Sequence, residues 1–152
     1  IKEFGQRILT LPTLAVIRNP YDRMVSMYFF AQKFKIDEVY DIKFQNFLEF
    51  CQLFQLLSKS DDFFHGWTQK SFIQINGNIA VNNLISFENL QVEFNEFLER
   101  HKLKNFYEKA GIHLTKTNKT EHKFYQEYFC NKSKQIVEEV WGEDIDYFKY
   151  IF

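Results

Sequence analysis

The sequence predicts an α/β protein with a central, mainly parallel sheet flanked by helices. Three observations predict it. An apolar run at 13–17 ends abruptly where a helix start is signalled. A second strand pattern at 83–87 runs straight into another helix. Long stretches of three-and-four apolar spacing lie between and after them. The chain has 152 residues, 45% of them hydrophobic, the size of one domain with its own core. No internal repeat, low-complexity tract or Pro/Gly-rich linker divides it, so 1–152 reads as a single domain.

Taken in order, Thr13-Leu14-Ala15-Val16-Ile17 is continuously apolar after its first residue, the pattern of a strand buried on both faces. Asn19 is a good N-cap, Pro20 suits the first helical position, and Asp22 places a carboxylate in the first turn. A helix is expected from Pro20 to about Lys33. Phe44, Phe47, Leu48, Cys51 and Phe54 share one face of a helix spanning 44–57. Residues 61–68 read as irregular. Ser71 to Ile75 reads as a strand, Asn76-Gly77-Asn78 as a turn and Ile79 to Val81 as the return. Asn83 to Phe87 is a further strand. Asn89 then caps a helix bearing Leu90, Phe94, Phe97 and Leu98. From Phe124 to Phe152 the chain reads as helical, with Ile136, Val137, Val140, Trp141 and Phe148 on its inner face.

Composition excludes some functions. No apolar run approaches the ~20 residues of a membrane span. A net charge of −1 and a pI near 6.5 argue against generic nucleic-acid binding, which leans on a positive field. Cys51 and Cys130 make no disulfide framework; they could form one bridge, but read rather as small buried thiols. His65, His101, His113 and His122 show no metal-ligand spacing with them, so no metal is expected. Residue 1 is Ile, with no basic or apolar leader before the first strand. The expectation is the C-terminal part of a longer chain.

The richest stretch is Arg18-Asn19-Pro20-Tyr21-Asp22-Arg23-Met24-Val25-Ser26-Met27-Tyr28. An arginine closes a strand and a capped helix starts two residues later. A helix N-terminus favours an anion, and a guanidinium supplies a fixed, always-charged fork. Ser26 returns near the same side and could add a hydroxyl. The combination suits a phosphate monoester. The plainer alternative is that Arg18 pairs with a protein carboxylate and Ser26 merely tolerates the helix.

These residues closely resemble the 3′-phosphate-binding motif of sulfotransferases: a strand, Arg-x-Pro, then Arg and Ser at fixed offsets. Leu84-Ile85-Ser86-Phe87-Glu88-Asn89-Leu90 resembles that family's strand-to-helix segment. Thr120-Glu121-His122-Lys123-Phe124-Tyr125-Gln126-Glu127-Tyr128-Phe129, with the helix ending Asp144-Ile145-Asp146-Tyr147-Phe148, resembles the C-terminal end of its carbohydrate and bacterial branch. The resemblance implies a P-loop-nucleotide-transferase-like sheet. It also implies transfer of a sulfuryl group from 3′-phosphoadenosine 5′-phosphosulfate to an acceptor hydroxyl, on a glycan in many members, without a metal. Arg18 and Ser26 would hold the 3′-phosphate. Arg23 would be mainly structural, pairing with Asp22 or another nearby carboxylate. Lys119 and Thr120, in a loop resembling one that folds over the nucleotide, would also reach the donor. The family's N-terminal strand and 5′-phosphosulfate loop have no counterpart near Gly5, and its catalytic base has none either, so the chain alone is expected to be inactive. Family members occur in the Golgi lumen and in bacterial cytoplasm, which leaves the compartment open.

Other features are weaker. Residues 100–123 carry seven Lys or Arg against two Glu, a net +5 that would draw an anionic donor or an acidic glycan, or that simply faces solvent. Phe63, Phe64 and Trp67 could line an acceptor groove or belong to the core. Glu88 could act chemically or bond locally. Asn118-Lys119-Thr120 and Asn131-Lys132-Ser133 are glycosylation sequons of the kind expected by chance. The alternatives to a sulfotransferase part are a non-catalytic binding module of the same fold and another phosphate-handling transferase, such as a small-molecule kinase.

Overall fold

The structure is a computed structural model and describes residues 11–36, 43–111, 114 and 122–152. The chain is mixed α/β, with helix well in excess of strand. It divides into two compact units, residues 1–17 with 73–115 and residues 18–72 with 116–152.

The first unit holds β1 (Leu14–Ile17), β2 (Gln74–Ile75), β3 (Asn78–Ile79), β4 (Asn83–Ser86), α4 (Leu90–Arg100) and α5 (Lys104–Lys109). β1 and β4 pair in parallel, with Val16 opposite Ile85. The ladder continues past both ends, through Asn83 N–H to Thr13 O at 3.1 Å and Phe87 N–H to Ile17 O at 2.7 Å. Among the described residues the parallel sheet has these two strands. β1 is not buried on both faces as its sequence suggested: Val16 is 46% exposed, because the covering helix, α4, packs on β4. Ile85, Phe97 and Leu98 are the buried residues of that contact. β2 and β3 form the expected hairpin, but the return strand is Asn78–Ile79 rather than Ile79 to Val81, with Asn78 already paired to Ile75. The two turn residues, Asn76 and Gly77, have φ of 51° and 79°, the pair of positive values that a tight primed turn demands. The pattern passed over α5, which sets Tyr107 edge-on to Phe94 at 5.3 Å.

The second unit holds α1 (Pro20–Lys33), α2 (Phe47–Leu57), α3 (Gln69–Phe72) and α6 (Asn131–Phe148), with 3-10 turns at Phe64–Gly66 and Tyr125–Tyr128. Its core is a face from each long helix: Tyr21, Met24, Val25, Tyr28 and Ala31; Phe47, Phe50, Cys51 and Phe54; Ile136, Val137 and Trp141. Each set follows the three-and-four spacing that turns one stripe inward. The many Phe residues meet edge to face, as Phe47 does Phe129 at 4.9 Å and Phe54 does Trp141 at 5.1 Å.

Several expected boundaries move. The helix expected over 44–57 begins at Phe47, because Asn46 Oδ1 accepts the Glu49 N–H at 3.0 Å while Glu49 reaches back to the Gln45 N–H at 2.7 Å. Ser71 to Ile75 is not one strand. Gln69–Phe72 turns helical because a distant carboxylate takes its first amides, and only Gln74–Ile75 is extended. The C-terminal stretch is not one helix. A 3-10 turn precedes α6, which starts after Cys130 and breaks at Trp141, whose φ is −128°. Cys51 is buried as expected, but Cys130 is exposed, and both are free thiols.

Candidate phosphate-binding site at the start of α1

The chain passes from Ile17 to Arg18 and enters α1 at Pro20. The expected cap is present: Asn19 Oδ1 accepts the Tyr21 N–H at 2.9 Å. Asn19 Nδ2 donates to the Tyr125 hydroxyl at 3.3 Å and to the Ile151 carbonyl at 3.4 Å, so Asn19 is itself buried. Beside it, the Tyr21 ring lies within 5.0 Å of Phe152 and 5.7 Å of Phe129. Its hydroxyl reaches Glu138 at 3.1 Å, and burial followed by that carboxylate pushes its pKa up. The C-terminal segment thus covers this side of the helix start with aromatic rings.

Asp22 and Ser26, four residues apart, lie on successive turns of the other side of α1, and Arg18, just before the cap, reaches Asp22 from outside the helix. Arg18 Nε and Nη2 both lie 2.7 Å from the same oxygen of Asp22, Oδ2. Both side chains remain about a fifth exposed, at 20% and 18%. Ser26 is half-buried, and its hydroxyl makes no hydrogen bond among the described residues. The face therefore offers a guanidinium and a hydroxyl, with a carboxylate already on the guanidinium. The plainer sequence reading, Arg18 paired with a carboxylate, describes this geometry. An anion binding here has to share or displace Asp22.

The Arg18 backbone is held as firmly as its head group. Its N–H donates to Gln69 Oε1 and its carbonyl accepts from Gln69 Nε2, both at 2.8 Å. Gln69 in turn gives its own N–H to Asp144 Oδ2 at 2.6 Å, and Lys70 N–H goes to Asp144 Oδ1 at 2.9 Å. Asp144 is fully buried. Burial raises its pKa, opposed by the Lys70 and Gln69 amides and by the charge of Arg23.

Arg23 does not pair with Asp22, which is engaged by Arg18. Its Nη1 and Nη2 donate to the carbonyls of Trp67 and His65 at 3.3 and 3.1 Å, and its guanidinium lies 4.3 Å from the centre of the Trp141 ring. Burial lowers its pKa to about 10, so it keeps its charge at neutral pH; burial first, and then the Arg23 charge, holds the neighbouring His65 below its ordinary value. Among the described residues the contacts of Arg23 are carbonyls and a ring rather than a bonded carboxylate.

Lys119 and Thr120 lie outside the described residues, as do the first sequon and, of the cationic stretch, Lys116 and Glu121. The second sequon falls in the first turn of α6, where Ser133 is buried and hydrogen-bonded to Cys130. Phe63 packs on Phe54 at 5.1 Å and belongs to the core. Phe64 and Trp67 are exposed, Trp67 tilted against Phe72 at 5.6 Å. Glu88 sits in the exposed turn before α4. In the first unit an open cleft of about 600 Å³ runs along β4 and α4, lined by Asn82, Asn83, Asn89, Glu96 and Arg100. Sequence reasoning did not anticipate it.

Gln69 and Asp144 were also missed. Asp144 left a signal, since it falls three residues after Trp141 on the inner face of α6, where an acid is out of place unless it has a task. Gln69 left none. No family model, curated protein or solved structure matches this chain.

Proposed function

We propose that this chain is part of a sulfotransferase with a P-loop-nucleotide-transferase-like fold. In this reading it binds the 3′-phosphate of 3′-phosphoadenosine 5′-phosphosulfate through Arg18 and Ser26. The observation that carries the reading is the ordering of Arg18, Asp22 and Ser26 along one half-buried face at the capped start of α1, with the Ser26 hydroxyl making no hydrogen bond among the described residues. A phosphate dianion competes with Asp22 for the guanidinium and gains a second donor from Ser26, which a single carboxylate cannot use. The two residues position the nucleotide. In the reaction an acceptor hydroxyl, in this reading a sugar hydroxyl, attacks sulfur in line with the departing nucleotide oxygen. A base takes its proton, and the S–O bond to the nucleotide breaks.

The test is a calorimetric titration with 3′-phosphoadenosine 5′-phosphate and, in parallel, adenosine 5′-phosphate. The chain is expected to prefer the nucleotide carrying the 3′-phosphate. Arg18→Ala removes a charge-assisted contact of about 1.5–3 kcal/mol and should abolish most of that preference. Equal affinities for the two nucleotides, or an unchanged preference in Arg18→Ala, refute the assignment.

One observation favours a second reading, a non-catalytic binding module. Arg18 already has a carboxylate partner, and the aromatic C-terminal segment covers the neighbouring side of the helix start. Absence of binding to either nucleotide selects it.

A further inference from the structure

We infer that Gln69, anchored by Asp144, is the positioning residue for Arg18. The inference rests on the phosphate-binding reading of Arg18. It follows from how the backbone groups of Arg18 are satisfied. In extended chain the N–H and C=O of one residue point the same way and need a partner offering an acceptor and a donor side by side. A primary amide does this, and Gln69 uses its carbonyl and its NH2 together, both at 2.8 Å. A carboxylate at this position could only accept, and an ammonium could only donate.

Gln69 is itself fixed. Its N–H and that of Lys70 each take one oxygen of the fully buried Asp144. With both oxygens used, the carboxylate determines where α3 starts and therefore where the Gln69 side chain begins. A chain of direct contacts then runs from Asp144 through Gln69 to the Arg18 backbone, one residue before the Asn19 cap. The Asp22 pair orients the guanidinium, and Gln69 fixes the stem from which it projects.

Two measurements on Gln69→Met test this, a variant of similar length with neither donor nor acceptor at its end. The first is amide hydrogen exchange at Arg18, expected to accelerate roughly tenfold or more as the bonded acceptor is lost. The second is the preference for 3′-phosphoadenosine 5′-phosphate over adenosine 5′-phosphate. It is expected to fall roughly tenfold, while affinity for adenosine 5′-phosphate holds. Gln69→Glu, which keeps the acceptor but sets a carboxylate oxygen against the Arg18 carbonyl, should also lose the preference and serves if Gln69→Met does not fold. Equal weakening of both nucleotides indicates a merely structural residue and overturns the inference. An Arg18 amide that exchanges as before also overturns it. If the unaltered chain shows no preference for the 3′-phosphate, the functional reading fails, and the exchange result alone decides whether Gln69 fixes Arg18.

Discussion

Gly66 shows how closely single atoms constrain the second unit. It ends the 3-10 turn after α2, accepts a hydrogen bond from Trp141 Nε1 at 3.1 Å, and donates its own N–H to Phe63 O at 2.9 Å. A Cβ placed on it would stand 2.7 Å from Ser58 Cβ and 2.8 Å from Ser58 Cα, backbone-anchored atoms that cannot swing away. Gly66→Ala must therefore push the turn off the end of α2 and stretch the Trp141 bond. A loss of about 1–3 kcal/mol is expected in urea unfolding, together with a changed Trp emission, because Trp141 reports on the same contact. Gly142→Ala is the control: nothing lies within 4 Å of its added methyl, and the unfolding midpoint should hold or rise. An unaltered midpoint in Gly66→Ala would mean that the close approach is absent in solution. Legibility at this scale follows sequence distance. The Asn19-Pro20-Asp22 start of α1 could be read directly because its partners are its neighbours. Gln69 and Asp144 could not, because their partners lie 51 and 75 residues away.

At the scale of elements, interiors were legible and most ends beyond those of α1 were not. Capping residues located α1, periodicity located α2, α4 and α6, and Asn76-Gly77 located the hairpin, because those signals are local. The ends depend on which group takes the first free amides. α4 makes the point. Asn89 stands at its N-cap position, yet its side chain makes no cap bond. Glu93 instead turns back to accept the Ser86 N–H at 2.7 Å and the Ser86 hydroxyl at 3.1 Å, joining the end of β4 to the first turn of α4. The Ser86 backbone bond comes first among the causes that hold the Glu93 carboxyl below its ordinary 4.5, with burial opposing. A lowered folded pKa means that the unfolded chain takes up the proton first. The stabilisation is therefore complete above 4.5 and fades as pH falls through the lowered value. Glu93→Gln should be less stable than the unaltered chain at pH 7, and the gap should narrow steadily below about pH 4.5. Urea midpoints measured from pH 7 down to pH 3 check this. A gap constant across that range would assign Glu93 no linkage to the fold of the first unit.

At the scale of the whole chain, the two units bury very different amounts. The second contributes Tyr21, Met24, Val25, Tyr28, Phe47, Phe50, Phe54, Val137 and Trp141, among others, to one continuous cluster. Among the described residues, the first has Ile73, Ile85, Phe97 and Leu98 as its buried apolar residues, and its hairpin strands are two residues long. Local opening costs little where few apolar contacts break and backbone bonds face water. Native-state hydrogen exchange is therefore expected to be slowest at Val25 and Val137 in α1 and α6, and fastest in β2 and β3. Val137→Ala removes packing from a fully buried position, at a cost of about 2 kcal/mol. That loss should accelerate exchange through α1, α2 and α6 by similar factors, because one cluster holds all three. An effect confined to α6 would show that the three faces open separately and that the shared core is not a cooperative unit.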